Sequence, residues 1–215
     1  MLTLGIDTSG PACDVALVRD GELVAHGREA MAKGQDSRLP GLVRDVISDA
    51  GESMNGLDRI GVVTGPGSFT GVRVGVAFAR GLALALKIPC IGVTALQAAM
   101  QDGQQGSAIV LLPAKRRPPE LTFWAQRFRT GAPTGQPEEI GIGELVSELG
   151  AHPHFVYGEG LDALREAMPD LTPHAARPTA ARAAEIAANG TLDGALASPV
   201  YVRAPDAALP GGGRP

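Results

Sequence analysis

Residues 61–73, GVVTGPGSFTGVR, decide the fold expected for the first half of the chain. The apolar, β-branched residues 60–64 predict a buried strand, and a Gly-Pro-Gly loop ends it. The alanine- and leucine-rich residues 72–86 contain no proline and predict a helix. Ser68 and Thr70 lie where the N-cap of that helix is expected. The stretch therefore predicts a strand, a glycine loop and a helix start, in that order.

A glycine loop at a helix start is a common anion-binding arrangement, because free backbone N–H groups there point at the ligand. The known phosphate motifs do not match: there is no lysine between Lys33 and Lys87, and the glycines are spaced G-x-G-x-x-x-G. The glycines equally fit a conformational role in a tight turn. The first strand ends in Asp7, whose carboxylate either faces a ligand or caps its own turn. The candidate phosphate-binding residues are Asp7, Thr8, Ser9, Gly65, Gly67 and Ser68.

The predicted helix carries Gly71, Gly75 and Gly81, and each interior glycine costs about 1 kcal/mol relative to alanine. A close neighbour is expected to offset that cost. Gly71 and Gly75 lie one turn apart on one face, which Phe78 and Leu82 continue. Two neighbours remain open: the chain's own sheet, or a helix of another subunit. In the second case Gly75→Leu is expected to keep the fold and abolish pairing.

Composition limits the class of protein. The chain has 215 residues and a formal net charge of −4, which gives no general attraction to nucleic acid. Cys13 and Cys90 lie in apolar stretches and are expected to be buried, not to form a disulfide framework or a metal site. There is no signal-type N-terminus and no uninterrupted apolar run of membrane-spanning length. We expect a cytoplasmic protein without membrane contact.

The first hundred residues predict three antiparallel strands, with a turn at Asp20-Gly21, followed by alternating helices and strands. A doubly wound fold would alternate from the start. In the second half we expect strands at 108–112, 121–129 and 154–157, helices at 142–149 and 180–189, and a proline-rich loop at 113–120.

This order fits an α/β, actin-like (ribonuclease H-like) two-lobed fold, with mixed sheets, an N-terminal antiparallel meander and flanking helices. A polar break that begins at Gly103 predicts a domain boundary. The predicted division is an N-terminal lobe over 1–103, a smaller C-terminal lobe over 104–208 and a flexible tail over 209–215.

Neither metal chemistry nor nucleophilic catalysis is predicted. No two of the four histidines have the i, i+4 spacing that places both rings on one helix face. Ser68 does not lie in G-x-S-x-G, because the second glycine falls one residue late. We therefore predict no catalytic residue and no metal ligand. A glycoprotease-like hydrolase is disfavoured, since no nucleophile–base pair is evident.

Several segments resemble the TsaB (YeaZ) family. They are LGIDTS at 4–9, CDVAL at 13–17, GPGSFTGVRVG at 65–75, GLA at 81–83, IGVTAL at 91–96 and PVYVR at 199–203. The resemblance is specific over residues 1–100 and thin afterwards, until the closing segment. Family members usually have an Asp-Ala-Arg stretch where this chain has PAKRR at 113–117.

The resemblance implies a non-catalytic subunit that binds a TsaD-type catalytic subunit, and a TsaE-type ATPase, in a complex that modifies tRNA. The complex moves threonylcarbamoyl onto the adenosine beside the anticodon of tRNAs that read ANN codons, and the chain meets tRNA only through the complex. The catalytic paralogue holds metal through a histidine pair on the helix after the meander, and residues 34–39 here contain no histidine. Alone, the chain is expected to form a homodimer.

The resemblance also places the partner surface on the two N-lobe helices, at 39–50 and 70–86. The implied interface residues are Leu39, Leu42, Val43, Val46, Thr70, Gly71, Val74, Gly75, Phe78 and Leu82. No cofactor is expected to be tightly bound, with weak ATP or ADP binding at the subunit junction as the candidate. The alternative function is that of an actin-like nucleotide-binding ATPase or kinase, using Asp7 and the loop at 65–71.

Overall fold

The structure is a computed structural model that describes residues 1–100, 105–117, 120–152, 154–190 and 197–202, without the side chains of 115–117 and 120. The predicted boundary between 103 and 104 and the predicted tail at 209–215 lie outside the described residues. The strands are β1 (Leu2–Asp7), β2 (Ala12–Arg19), β3 (Glu22–Ala30), β4 (Arg59–Val63), β5 (Cys90–Val93), β6 (Ser107–Arg117), β7 (Glu120–Arg129), β8 (Ala132–Pro133), β9 (Glu138–Gly141) and β10 (Phe155–Gly158). The helices are α1 (Gln35–Asp49), α2 (Phe69–Leu86), α3 (Ala95–Ala99), α4 (Ile142–Ala151), α5 (Asp162–Ala167) and α6 (Ala180–Asn189), with a 3-10 turn at Met54–Gly56.

The strands form two mixed sheets. The first has the order β3-β2-β1-β4-β5, in which β1, β2 and β3 are antiparallel and β1, β4 and β5 are parallel. The second has the order β10-β6-β7-β8, with β9 also paired to β7. The predicted meander and the predicted alternation after it are confirmed.

Helices α1 and α2 cover one face of the first sheet. Leu4 and Ile6 of β1 point into that core, together with buried residues of both helices. Ser68 is the N-cap of α2, and its side chain accepts a hydrogen bond from the backbone of Gly71. The helix therefore starts at Phe69, three residues before the apolar pattern predicts.

Helix α6 covers the opposite face of the first sheet, although it comes from the end of the chain. It lies over Gly5 of β1 and Gly61 of β4, which are neighbours in the strand register. A Cβ atom on Gly61 would overlap the carbonyl oxygen of Ala183 and lie 2.8 Å from the Cβ of Ala187. The two glycines thus form a groove in the sheet, and the alanine-rich helix packs directly against the strand backbone.

Side chains of the first sheet hold both ends of α6. The Asp14 carboxylate on β2 accepts a hydrogen bond from the backbone N–H of Ala180, 3.2 Å away. At the other end, Arg59 donates to the carbonyl oxygens of Ala187 and Gly190 at 3.0 and 2.9 Å. These contacts satisfy groups that a helix end leaves without intrahelical partners.

The second sheet corrects one prediction. The expected loop at 113–120 is wrong, because β6 continues through Pro113 to Arg117 and β7 begins at Glu120. The strand register shifts between Pro113 and Lys115. Proline is tolerated in a strand at such a bulge, where its missing N–H breaks no ladder hydrogen bond.

Candidate functional site

The end of β1 and the loop before α2 are in direct contact. The Thr8 hydroxyl donates to the carbonyl oxygen of Gly71 at 2.7 Å, and the Ser68 N–H donates to the carbonyl oxygen of Ser9 at 2.7 Å. A Cβ atom on Gly67 would lie 2.8 Å from the Cβ of Ser9. The structure therefore brings together the two predicted phosphate-binding segments, 7–9 and 65–68, but packs them on each other.

This packing and the start of the helix use some of the backbone N–H groups that an anion would need. The N–H of Ser68 binds Ser9, that of Gly71 binds the Ser68 hydroxyl at 3.2 Å, and that of Val72 binds the Ser68 carbonyl. Asp7 accepts a hydrogen bond from the Ser9 N–H at 2.7 Å, so it caps its own turn. Burial raises the pKa of the Asp7 carboxyl, while its hydrogen bonds to Ser9 oppose the rise. The start of α2 is therefore packed against the end of β1, and several of its N–H groups already have partners within the protein.

A cleft of about 640 Å³ opens beside this contact, between the first sheet and the second. Phe123 and Trp124 of β7 contribute aromatic surface to it. Its charged lining consists of four carboxylates against two guanidinium groups, which makes it acidic. A polyphosphate would be repelled there unless cations accompanied it. The charged residues are Asp7, Asp14, Glu159, Asp162, Arg28 and Arg177.

The described residues do not group three or more histidine, cysteine, aspartate or glutamate side chains in a way that could hold a metal ion. His154 is half-buried, with its ring 3.9 Å from the Glu148 carboxylate. Burial lowers the pKa of the His154 ring. The His26 Nε2 atom lies 2.7 Å from the Asp14 carboxylate, which is within hydrogen-bonding distance and joins β3 to β2.

Packing on the inner face of α2 requires glycine at two positions, 71 and 75. A Cβ atom on Gly71 would overlap the Thr8 carbonyl oxygen, and one on Gly75 would overlap the Thr8 hydroxyl. The close neighbour that their cost implies is thus the chain's own first strand, not a helix of another subunit. Both glycines are buried against Thr8, directly after β1, so neither is available to a partner.

We therefore expect Gly75→Leu to destabilise the fold, which reverses the expectation from sequence. The added side chain would push α2 away from Thr8, and overpacking of this kind costs about 1–3 kcal/mol. Urea unfolding followed by circular dichroism measures the change. An unaltered midpoint in Gly75→Leu would contradict the packing described here.

The predicted interface residues of α1 also face inward. Leu39, Leu42, Val43 and Val46 are at most 4% exposed and belong to the core of the first sheet. The exposed residues of α1 are polar: Asp36, Ser37, Arg44, Asp45, Ser48 and Asp49. The apolar periodicity of α1 thus marks its contact with the sheet.

The outer face of α2 is apolar and uncovered. We define it by the exposed residues Thr70, Ala77, Gly81, Leu84 and Ala85, with the half-buried Val74, Phe78 and Leu82 along its border. Leu84 is 81% exposed, and a Cβ atom on Gly81 would meet no atom within 4 Å. Of the ten predicted interface residues, Thr70, Val74, Phe78 and Leu82 lie on this face or its border. Sequence reasoning missed Ala77, Gly81, Leu84 and Ala85, although a helix with apolar residues on two opposite faces signals a second covered face.

By length and composition, α2 is the one helix in the described part of the chain that could cross a membrane, with a mean hydropathy of 1.4. The same composition is found in core helices of proteins that do not enter membranes. Here Val72, Val76, Ala79 and Ala83 pack on the first sheet. The finding is weak support for a membrane span.

Comparisons with known proteins find proteins of tRNA threonylcarbamoyladenosine biosynthesis. A family model described as TsaD: tRNA N6-adenosine threonylcarbamoyltransferase matches residues 29–126. The chain is 37% identical over 153 residues to the tRNA threonylcarbamoyladenosine biosynthesis protein TsaB of Escherichia coli, which covers 69% of this chain and 65% of that protein. The match thus spans slightly less than two thirds of the relative's length.

Solved structures agree on the fold. YeaZ from Pseudomonas aeruginosa aligns with a TM-score of 0.71 at 28% identity, over 93% of this chain and 99% of that one. A ROK hexokinase from Thermus thermophilus aligns with a TM-score of 0.53 at 14% identity, over 88% of this chain and 98% of that one, which bears on the fold alone. The predicted α/β, actin-like fold class is confirmed.

Proposed function

We propose a function from the premise that the chain belongs to the TsaB (YeaZ) family. It acts in tRNA threonylcarbamoyladenosine biosynthesis as the subunit that binds a TsaD-type catalytic subunit. In that complex it supports transfer of threonylcarbamoyl onto the anticodon-adjacent adenosine of ANN-reading tRNAs. Catalysis belongs to the partner.

The uncovered outer face of α2 carries this proposal. Its exposed residues other than Thr70 are apolar, and covering a leucine as exposed as Leu84 contributes about 1.5–3 kcal/mol. Ala77, Gly81 and Ala85 are small, so another helix could approach the α2 backbone closely along one line. An apolar stripe of this kind on a helix is typical of a contact with another protein.

The family match supports a paired arrangement. The matched residues, 29–126, include α1 and α2, so a TsaD-type partner carries a related pair of helices. Related surfaces can meet about a pseudo-two-fold axis, as identical ones do in a C2 dimer. The same argument predicts a homodimer of this chain through α2 when the partner is absent.

Light scattering after size exclusion tests the proposal, with this chain alone and mixed with a TsaD-type protein. We expect a homodimer alone and a heterodimer in the mixture. A mixture that elutes as two separate species, with or without ATP and a TsaE-type protein, would overturn the proposed function.

Nucleotide binding remains the second candidate, with ATP or ADP either at the subunit junction or in the cleft as in an ATPase or kinase. The cleft is large enough for a nucleotide, but its four carboxylates would repel the phosphate groups. These carboxylates belong to Asp7, Asp14, Glu159 and Asp162. Calorimetry with Mg-ATP distinguishes the two places: heat from the isolated chain that Asp7→Ala abolishes indicates the cleft, and heat from the complex alone indicates the junction. The TsaE-type partner and a cytoplasmic location stay predictions.

A further inference from the structure

Three cations form a row along α2. Arg73 and Arg80 of α2 and Lys87, the residue directly after the helix, follow one another at seven-residue intervals, which is almost two helical turns, so successive Cα atoms lie about 10 Å apart. All three are exposed, and α2 itself contains no aspartate or glutamate. Within the described residues, none of the three makes an ion pair. A row of unpaired cations is conspicuous in a chain whose formal net charge is −4.

Aromatic rings frame the first cation of the row. The Arg73 guanidinium lies 3.7 Å from the centre of the Phe69 ring, and its Nε donates a 2.9 Å hydrogen bond to the Tyr201 hydroxyl. The two rings are 5.5 Å apart, and Phe69 and Tyr201 are 39% and 46% exposed. The stacking holds Arg73 in place while leaving both rings accessible.

The row lies along one edge of the outer face of α2. At 100° per residue, Arg73 and Arg80 lie about 20–40° from Leu84 around the helix axis, at the edge of the outer face that is opposite Val74 and Phe78. Arg80 is near Cys90 of β5: burial raises the pKa of the Cys90 thiol to about 11, and the charge of Arg80 opposes this rise. A subunit on the outer face would therefore meet the row at one edge and leave the side of the row that faces β5 open to a second ligand.

We propose that Arg73, Arg80 and Lys87 contact the phosphate backbone of an RNA, with Phe69 and Tyr201 as a stacking surface for an unpaired base at its end. Arginine and lysine supply most phosphate contacts in nucleic-acid complexes, and exposed rings stack on bases that are splayed out. An acidic protein surface would pair with the cations but would leave the two rings unused. The inference rests on the proposed function, in which the substrate of the complex is a tRNA.

The test compares two triple variants with equal charge changes, in the complex with a TsaD-type protein. One is Arg73→Gln, Arg80→Gln and Lys87→Gln, and the control is Lys33→Gln, Arg44→Gln and Arg129→Gln, which neutralises exposed cations elsewhere. Fluorescence anisotropy measures binding of an unmodified tRNA over a series of salt concentrations. Loss of three phosphate contacts is expected to lower the slope of log K against log salt by about 2–3 and to weaken binding roughly 100-fold at 0.1 M salt. The control is expected to keep the slope.

Two results would overturn the inference: an equal slope in the row variant and the wild type, or light scattering that shows loss of subunit pairing in the row variant, which would make the row a protein contact. If the wild-type chain does not pair at all, the proposed function fails, and the same titration on the chain alone decides the inference. A lower slope in the row variant alone then supports it, and equal slopes refute it.

Discussion

Gly61→Val is expected to detach α6 from the first sheet and to lower the free energy of unfolding by about 3 kcal/mol or more. The valine would collide with the Ala183 carbonyl and the Ala187 side chain. The helix cannot tilt away from the sheet without breaking the contacts of Asp14 and Arg59 with its two ends. Neither neighbour is the far end of a flexible side chain, so relaxation is limited.

Urea unfolding and amide hydrogen exchange of α6 measure this effect. Gly143→Val is the matched control, because a Cβ atom at Gly143 meets no atom within 4 Å, and it should change stability by no more than about 0.5 kcal/mol. Full protection of the α6 amides in Gly61→Val would contradict the packing of α6 on the strand backbone.

Gly81→Leu is expected to leave the fold intact and to weaken pairing with the TsaD-type subunit at least 100-fold. Position 81 is open on the outer face of α2, so the chain accommodates the leucine and gains up to about 1 kcal/mol of helix stability. The same side chain fills the line of small residues along which a partner helix would approach. Thermal unfolding and titration calorimetry separate the two effects.

Two glycine variants serve as controls for this experiment. Gly81→Ala adds helix stability with little bulk and should retain most of the pairing. Gly75→Leu introduces the same side chain on the inner face, where it should lower the melting temperature. Tight pairing in Gly81→Leu would show that the partner binds elsewhere.

The sequence patterns predict elements better than they predict neighbours. The meander and α2 follow from local signals: alternating or continuous apolar residues, the Asp20-Gly21 turn and the Ser68 cap. The docking of α6 does not, because Arg59 and Ala187 are 128 positions apart and local patterns carry no information on such pairs. The glycines at 5 and 61 indicate that contact in the sequence, but they can be recognised as neighbours only when β1 and β4 are placed side by side.

The candidate interface shows the same limit at a single helix. The cost of Gly71 and Gly75 predicts a close neighbour, but sequence alone does not say whether Thr8 or another subunit is that neighbour. Since α2 is apolar on both its inner and its outer face, periodicity does not separate Gly75 from Gly81 either. The structure does so through the position of β1. The role of Asp7 is also open from sequence. In the structure its carboxylate accepts a hydrogen bond from the Ser9 N–H, and the Ser9 carbonyl in turn binds the Ser68 N–H, so Asp7 caps its own turn.

The most direct test of the α2 interface is chemical labelling of Leu84→Cys, in the free chain at a dilution where it is monomeric and in the complex with a TsaD-type protein. Burial raises the pKa of both native thiols, Cys13 and Cys90, to about 11, so a maleimide at neutral pH should react chiefly with position 84. Ser147→Cys, exposed on α4, is the control. We predict strong protection at position 84 and none at position 147 when the partner binds. Equal labelling of Leu84→Cys in the free and bound chain would contradict the outer face of α2 as the partner surface.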